Sequence, residues 1–200
     1  MRFPARSAFL LLALTFAMPA WSATTDLKDI PSGVYALDPN HASITFRVLH
    51  LGFSRYTGRF DKFDAKLDFD SAKPENSKLD VTINPNSVNT NNAKLEEELK
   101  AEPYFNTVKF PAMTFVATKI ERTGDTTGTI TGDFTMLGVT RSVTLDATFI
   151  GGGEHPMNKM PTLGFSATGS LKRSAFGLEK LIPMVGDDVT FDVQAEFNKR

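Results

Sequence analysis

Few side chains in this chain have the chemistry to react, ligate or grip a charged group, and their spacing narrows what they can do. There are three His and no Cys. Without Cys there is no disulfide, no thiolate metal site and no thiol nucleophile. His41 and His50 are separated by an odd number of positions, so on one strand they would face opposite sides. No His-x-His or His-Glu-x-x-His spacing occurs, so no metal site is expected. His41, beside Asn40, reads as a turn residue bonding the backbone. His50 follows Ile44, Phe46 and Val48 in phase, which places it at the mouth of whatever they enclose. There it would donate either to a ligand headgroup or to a loop carbonyl.

Arg55 is a second headgroup candidate, because guanidinium grips phosphate with two parallel hydrogen bonds. It reads equally well as a solvated loop residue. Asn91, flanked by Asn89 and Asn92, is a third candidate, although helix capping accounts for one or two of these amides. The acids Asp187 and Asp188, and Glu96 to Glu98, read as solvated surface or a helix start. Residues 151–156, three Gly followed by Glu, His and Pro, read as a flexible loop rather than a phosphate cradle. No Gly-x-Ser-x-Gly elbow is present. No catalytic set emerges, so the chain is not expected to be an enzyme.

The elements that would position these groups are strands. Short stretches alternate apolar and polar residues, which means one apolar face and one wet face. The inward set is Ile44, Phe46 and Val48, then Phe63, Leu67 and Phe69, then Val81 and Ile83. It continues through Phe115, then Ile130, Phe134 and Met136, then Val143 and Leu145. Phe165, Phe191 and Val193 follow on later strands. Phe60 and Phe63 break the alternation, and a bulge near Asp61 and Lys62 would reconcile them.

One helix is expected over residues 91–101, capped by Thr90 or Asn91 and stopped by Pro103. Leu95 and Leu99 share its face. Residues 38–40 read as a turn, residues 52–55 as a loop, and residues 176–186 as an irregular apolar connection that includes Phe176. So much apolar sheet with one helix must cover itself, as a sandwich or a closed barrel. A barrel of about eight strands holds either a packed core or one small ligand. Alternation alone leaves that choice open, though inward Ala65, Ala117, Ala147, Ala167 and Gly169 give space or interdigitation.

Residues 1–22 read as a secretory leader. Arg2 and Arg6 precede an apolar run from Phe9 to Met18, and Ala20 and Ser22 fit cleavage before Ala23. The run is too short to span a bilayer. The remaining residues, 23–200, form one expected domain. The formal charge of −1 leaves no electrostatic footprint for nucleic acid. The sole Trp, Trp21, lies in the leader, whereas 17 Phe are spread over the chain, so the interior is expected to be dry.

These pieces together resemble the YceI-like family. Residues 35–41, Tyr-Ala-Leu-Asp-Pro-Asn-His, followed by Phe46, His50, Gly52, Gly58 and Phe60, are similar to its start. Residues 88–93 leading to Leu99, Phe105, Phe110 and Pro111 are similar to its middle, as is the stretch 130–145. Ser174, Phe176, Gly177 and the closing strand from Asp188 also fit. The resemblance implies an all-β, lipocalin-like antiparallel β-barrel of about eight strands with one short helix. It implies a periplasmic protein, monomer or homodimer, holding a polyisoprenoid or quinone-like lipid, with no other cofactor and no catalysis. Leu99 and Phe105 then join Phe176 and the strand residues in contacting the tail. Where the family carries an Arg-Asp…His pattern on the helix, this chain has Leu95, Glu96 and Glu98, which implies a less anionic headgroup. An alternative expectation is a partner module, with residues 178–185 docking a membrane redox protein. A third is a small periplasmic enzyme acting on an isoprenoid through His50.

Overall fold

The computed structural model describes residues 23–200. The leader expected over residues 1–22 lies outside the described residues. The strands are β1 (Gly33–His50), β2 (Ser54–Phe60), β3 (Phe63–Phe69), β4 (Lys78–Ile83) and β5 (Val88–Asn89). After the helix α1 (Ala93–Lys100) come β6 (Met113–Arg122), β7 (Thr127–Met136), β8 (Val139–Glu154), β9 (Pro161–Lys172) and β10 (Val185–Lys199). Eight of them, β1, β3, β4, β6, β7, β8, β9 and β10, form an antiparallel ring that closes where β10 pairs with β1. The remaining two, β2 and then β5, extend the second half of β1. The expected lipocalin-like barrel is therefore the observed fold. Closure leaves the ring without an edge, which is how an apolar-faced sheet avoids pairing with another chain.

Several local expectations are corrected. Residues 38–40 are not a turn between two strands. They lie inside β1, where Leu37 pairs with Phe197 and Ala42 pairs with Ala195, so residues 38–41 oppose the single residue Glu196. This is a bulge of four residues against one, and it lets one strand pair with β3 before the bend and with β2 after it. His41 bonds a side chain there, not the backbone: its Nδ1 lies 3.0 Å from Asp38 Oδ2. Residues 151–154 are not a loop either. They continue β8, paired with residues 161–164 of β9, because Gly152 packs under Ile30 and Leu163 where a side chain would not fit. Arg55 lies within β2, opposite Leu49, rather than in a loop.

The helix is capped by Asn92, whose Oδ1 accepts from Leu95 N at 3.2 Å. Asn91 has φ 56° and stands outside the cap position. Of the two readings of Glu96, solvated surface or helix start, the structure takes the second: it lies in the first turn of α1. Its Oε1 accepts from Thr90 N at 2.8 Å and from Asn92 N at 3.3 Å, which ties the helix to the preceding segment. The bulge expected near Asp61 and Lys62 is instead a break, with β2 ending at Phe60 and β3 starting at Phe63.

Aromatic packing sets how closely the strands approach. Phe191 lies directly across from Gly169, and a Cβ there would stand 2.6 Å from the ring. A Cβ on Gly132 would stand 2.5 Å from Phe115 Cζ and 2.6 Å from the carbonyl oxygen of Val116. The ring at Gly169 can turn aside, whereas the backbone at Gly132 cannot. Gly132→Ala should cost about 1–3 kcal/mol of stability, measured by urea unfolding, and Gly169→Ala should cost less. Equal costs at the two positions would show that ring packing, not backbone approach, sets the limit.

The bulge also has an electrostatic lock. The hydrogen bond from His41, and then that from Asn40 N, hold the Asp38 carboxyl below its ordinary range. The same bond raises His41 above its ordinary value. The raised His stabilises the fold at low pH and loses that contribution as pH climbs through its folded value. The lowered Asp loses its contribution as pH falls through the carboxylate range. His41 is exposed, so salt weakens the pair. The Tm difference between wild type and His41→Ala should shrink between about pH 6 and pH 8, measured at low salt. A difference independent of pH would show that the pair carries no charge.

Candidate functional site

The barrel interior is not filled. It encloses a cavity of about 800 Å³ lined almost wholly by hydrocarbon. The reason lies in the sizes of the inward residues. Ala65, Ala147, Ala167 and Ala195 face large rings such as Phe46, Phe165 and Phe191, and the small side chains leave volume that the rings do not reach. Phe46, Phe134, Phe191 and Val193 point inward yet are only half-buried, because the accessible surface they keep is the cavity wall. Along β10 the lining runs from Val185 to Phe197. At about 3.3 Å per residue and a strand tilt near 40°, that is roughly 30 Å of depth.

One end is floored. Leu27, Leu37 and Phe197 line the cavity there, over a packed layer of Ile30, Tyr35 and Leu163. The Tyr35 hydroxyl donates to Pro31 O at 2.6 Å and pins the N-terminal segment across the floor. The other end carries the polar groups. His50, Tyr56, Thr90, Asn92, Lys94, Glu98, Tyr104, Arg173 and Lys180 all line it. Tyr56 OH donates to Thr90 O at 3.2 Å and joins β2 to the segment before the helix.

Of the residues expected on the wall, Ile44, Phe46, Val48, Phe63, Leu67, Phe69 and Val81 are there. So are Leu99, Phe105, Phe115, Ile130, Phe134, Met136, Val143, Leu145, Phe165, Phe191 and Val193. Ile83 and Phe176 are not. Ile83 is buried in the surrounding core, and Phe176 backs the wall by packing edge-on against Phe134 at 5.4 Å. Among the headgroup candidates only His50 lines the cavity. Arg55 is exposed on the face of β2 opposite Tyr56, and Asn91, absent from the lining, donates its backbone N–H to Asn89 Oδ1 at 3.0 Å. Asn92 takes the place expected for Asn91.

Tyr56 and Phe60 are wall residues that the sequence reading missed, although they keep the period of two through Gly58. Arg173 left no such signal. It is 5% exposed. Its Nε donates to Gly186 O at 2.8 Å, Nη1 to Leu178 O at 2.8 Å and Nη2 to Val185 O at 2.9 Å. Burial pushes its guanidinium below the ordinary value, and the charge of Asp187 opposes this. Desolvation would raise Asp187, but hydrogen bonds from Ser174 N and Oγ, both 2.8 Å, outweigh it and hold the carboxyl low. Outside the barrel, Asp38, His41 and Glu196 bring one nitrogen and two oxygens within 4.8 Å of one another; among the described residues this is the one such group.

The model of the YceI-like domain matches residues 35–197. Protein YceI of Escherichia coli O157:H7 is 37% identical over 188 residues, covering 93% of this chain and 95% of that protein. The crystal structure of the Campylobacter jejuni YCEI protein superposes with a TM-score of 0.70 at 34% identity, over 76% of this chain and 90% of that one. A polyisoprenoid binding domain from Saccharophagus degradans shares the fold, with a TM-score of 0.58 at 14% identity, over 83% of this chain and 98% of that one. The barrel, its order of strands and the extent of these matches show that the chain belongs to the YceI-like family.

Proposed function

We propose that this protein is a periplasmic carrier that sequesters or transports a polyisoprenoid or similar long-chain amphiphile in its barrel, without catalysis. The observation that carries the reading is the cavity of about 800 Å³ with its hydrocarbon wall and its polar groups gathered at one end. The polyisoprenoid binding domain of the same fold supports the choice of tail. The leader expected in residues 1–22 supports the compartment. The residues that contact the tail are the wall residues Phe46, Phe115, Phe134, Phe165 and Phe191 and their neighbours. Each buried methylene contributes about 0.8 kcal/mol, so a tail of about ten carbons supports micromolar binding before ordering costs. His50 stands where a headgroup would rest.

A second reading has its own observation. Leu49, Leu51, Phe53, Leu181 and Met184 are exposed at the polar end, Phe53 to 88%. Leu51 N donates to Met184 O at 2.7 Å, so the two segments form one lip. Exposed apolar surface of this kind fits docking to a membrane redox protein. Phe53→Ser should then lower retention on membranes while leaving lipid content unchanged, and unchanged retention would end this reading.

The primary test is mass spectrometry of lipids extracted from protein purified natively from the periplasm. A stoichiometric isoprenoid or related amphiphile is expected. Ala147→Phe, which puts a ring into the cavity from β8, should reduce bound lipid by about tenfold or more in a folded protein. Phe165→Asp should do the same. A stable wild type free of lipid would overturn the carrier reading.

A further inference from the structure

Charge is segregated in this cavity. The charged lining residues are Lys94, Glu98, Arg173 and Lys180, and all four stand at the end that also holds His50 and Tyr104. Three cations face one acid there. The opposite end and the whole middle are hydrocarbon apart from Ser77 near the floor. Such a wall matches an amphiphile with one charged terminus.

Arg173 ties the 178–186 segment through three carbonyls, a task that does not call for a charge. It is buried, it lines the cavity, and it belongs to no ion pair among the described residues. Asp187 acts on it through space, while its oxygens accept from Ser174 and face Lys172 at 3.8 Å. Arg carries five N–H donors. Three go to the carbonyls of Leu178, Val185 and Gly186. One proton on each of Nη1 and Nη2 remains. Carbonyls satisfy hydrogen bonds but do not neutralise a charge, and a buried cation with no anion in contact is costly. A neutral donor such as the Gln amide could bond loop carbonyls without burying a charge. Asp187 offsets this charge only through space, and an anionic head arriving with the ligand would supply a counterion in contact.

We propose that Arg173 is the headgroup anchor of this cavity and that the chain selects amphiphiles with an acidic head, carboxylate or phosphate, over neutral ones. The proposal rests on the carrier reading. Lys94 and Lys180 attract the head at the rim, and the two unspent N–H groups of Arg173 receive its oxygens in the forked geometry suited to either anion. This reverses the expectation drawn from Leu95 and Glu98, because the cations come from the helix position beside them and from the 173–187 segment.

The test is titration of the delipidated full chain with palmitate, with hexadecanol and with inorganic phosphate. Wild type should prefer palmitate to hexadecanol by about tenfold or more. Arg173→Gln keeps neutral donors for the loop carbonyls. It should bring palmitate down to the affinity of hexadecanol. A cooperative thermal unfolding transition reports that the variant is folded. If Arg173→Gln does not fold, Lys180→Glu carries the test: it should weaken palmitate alone and make the preference less sensitive to salt. Equal wild-type affinities for palmitate and hexadecanol, or a preference unmoved by both variants, would overturn the proposal while leaving the carrier reading intact. Competition by inorganic phosphate at the concentrations of palmitate that saturate would assign the site to a free anion and overturn it as well. Failure of both amphiphiles to bind would overturn the carrier reading and the anchor together.

Discussion

The seam between β1 and β10 turns a curved sheet into an enclosed volume, and the other features follow from that enclosure. The pairing runs from Tyr35 and Lys199 at one end to His50 and Val185 at the other. It holds along this length because β1 bulges at residues 38–41 and so changes partner from β3 to β2 without losing β10. A regular strand of that length would diverge from a closed ring, since strands tilt about 40° to the barrel axis and the sheet must coil to meet itself. The bulge absorbs that coiling, and the Asp38 and His41 pair fastens it on the outer surface.

Enclosure alone would give a core. The cavity arises because the inward positions alternate rings with residues that have little or no side chain. Gly58, Gly132 and Gly169 lie beneath the rings of Phe46, Phe115 and Phe191, and those rings press flat against the wall rather than reaching the axis. The Ala residues at 65, 147 and 167 then leave the axis open. Burial of these rings in the wall gives the protein its stability, and their inner faces remain available to hydrocarbon. Stability and ligand capacity thus use opposite faces of the same side chains.

The two ends of the barrel differ because different connections cover them. The floor is the N-terminal segment, held by Ile30 and by the Tyr35 hydrogen bond, and it contributes apolar groups. The other end is covered by the helix and by residues 177–184, held from beneath by Arg173. That segment contains left-handed Leu181 and meets the left-handed Leu51 of the β1–β2 turn. Leucine in such conformations, exposed, departs from ordinary turn chemistry, where Asn or Gly would be preferred. Departures of this kind gather where function, not folding, sets the residue.

The sequence by itself determined the all-β class, most strand positions, an irregularity at residues 61–62 and most of the wall, because a period of two is a local property of the chain. Tertiary structure decided the rest. The turn expected at residues 38–40 became a bulge, since only the β10 partner shows that the strand continues. Of the loop expected at residues 151–156, residues 151–154 became strand, since only Ile30 and Leu163 show why Gly is needed there. Alternation marked which residues point inward but could not tell a full interior from an empty one, because a void is a difference of volumes summed across all strands of the ring. Nor could it find Arg173, whose meaning depends on three carbonyls distant by 5 to 13 positions and on a cavity that exists only once the ring has closed.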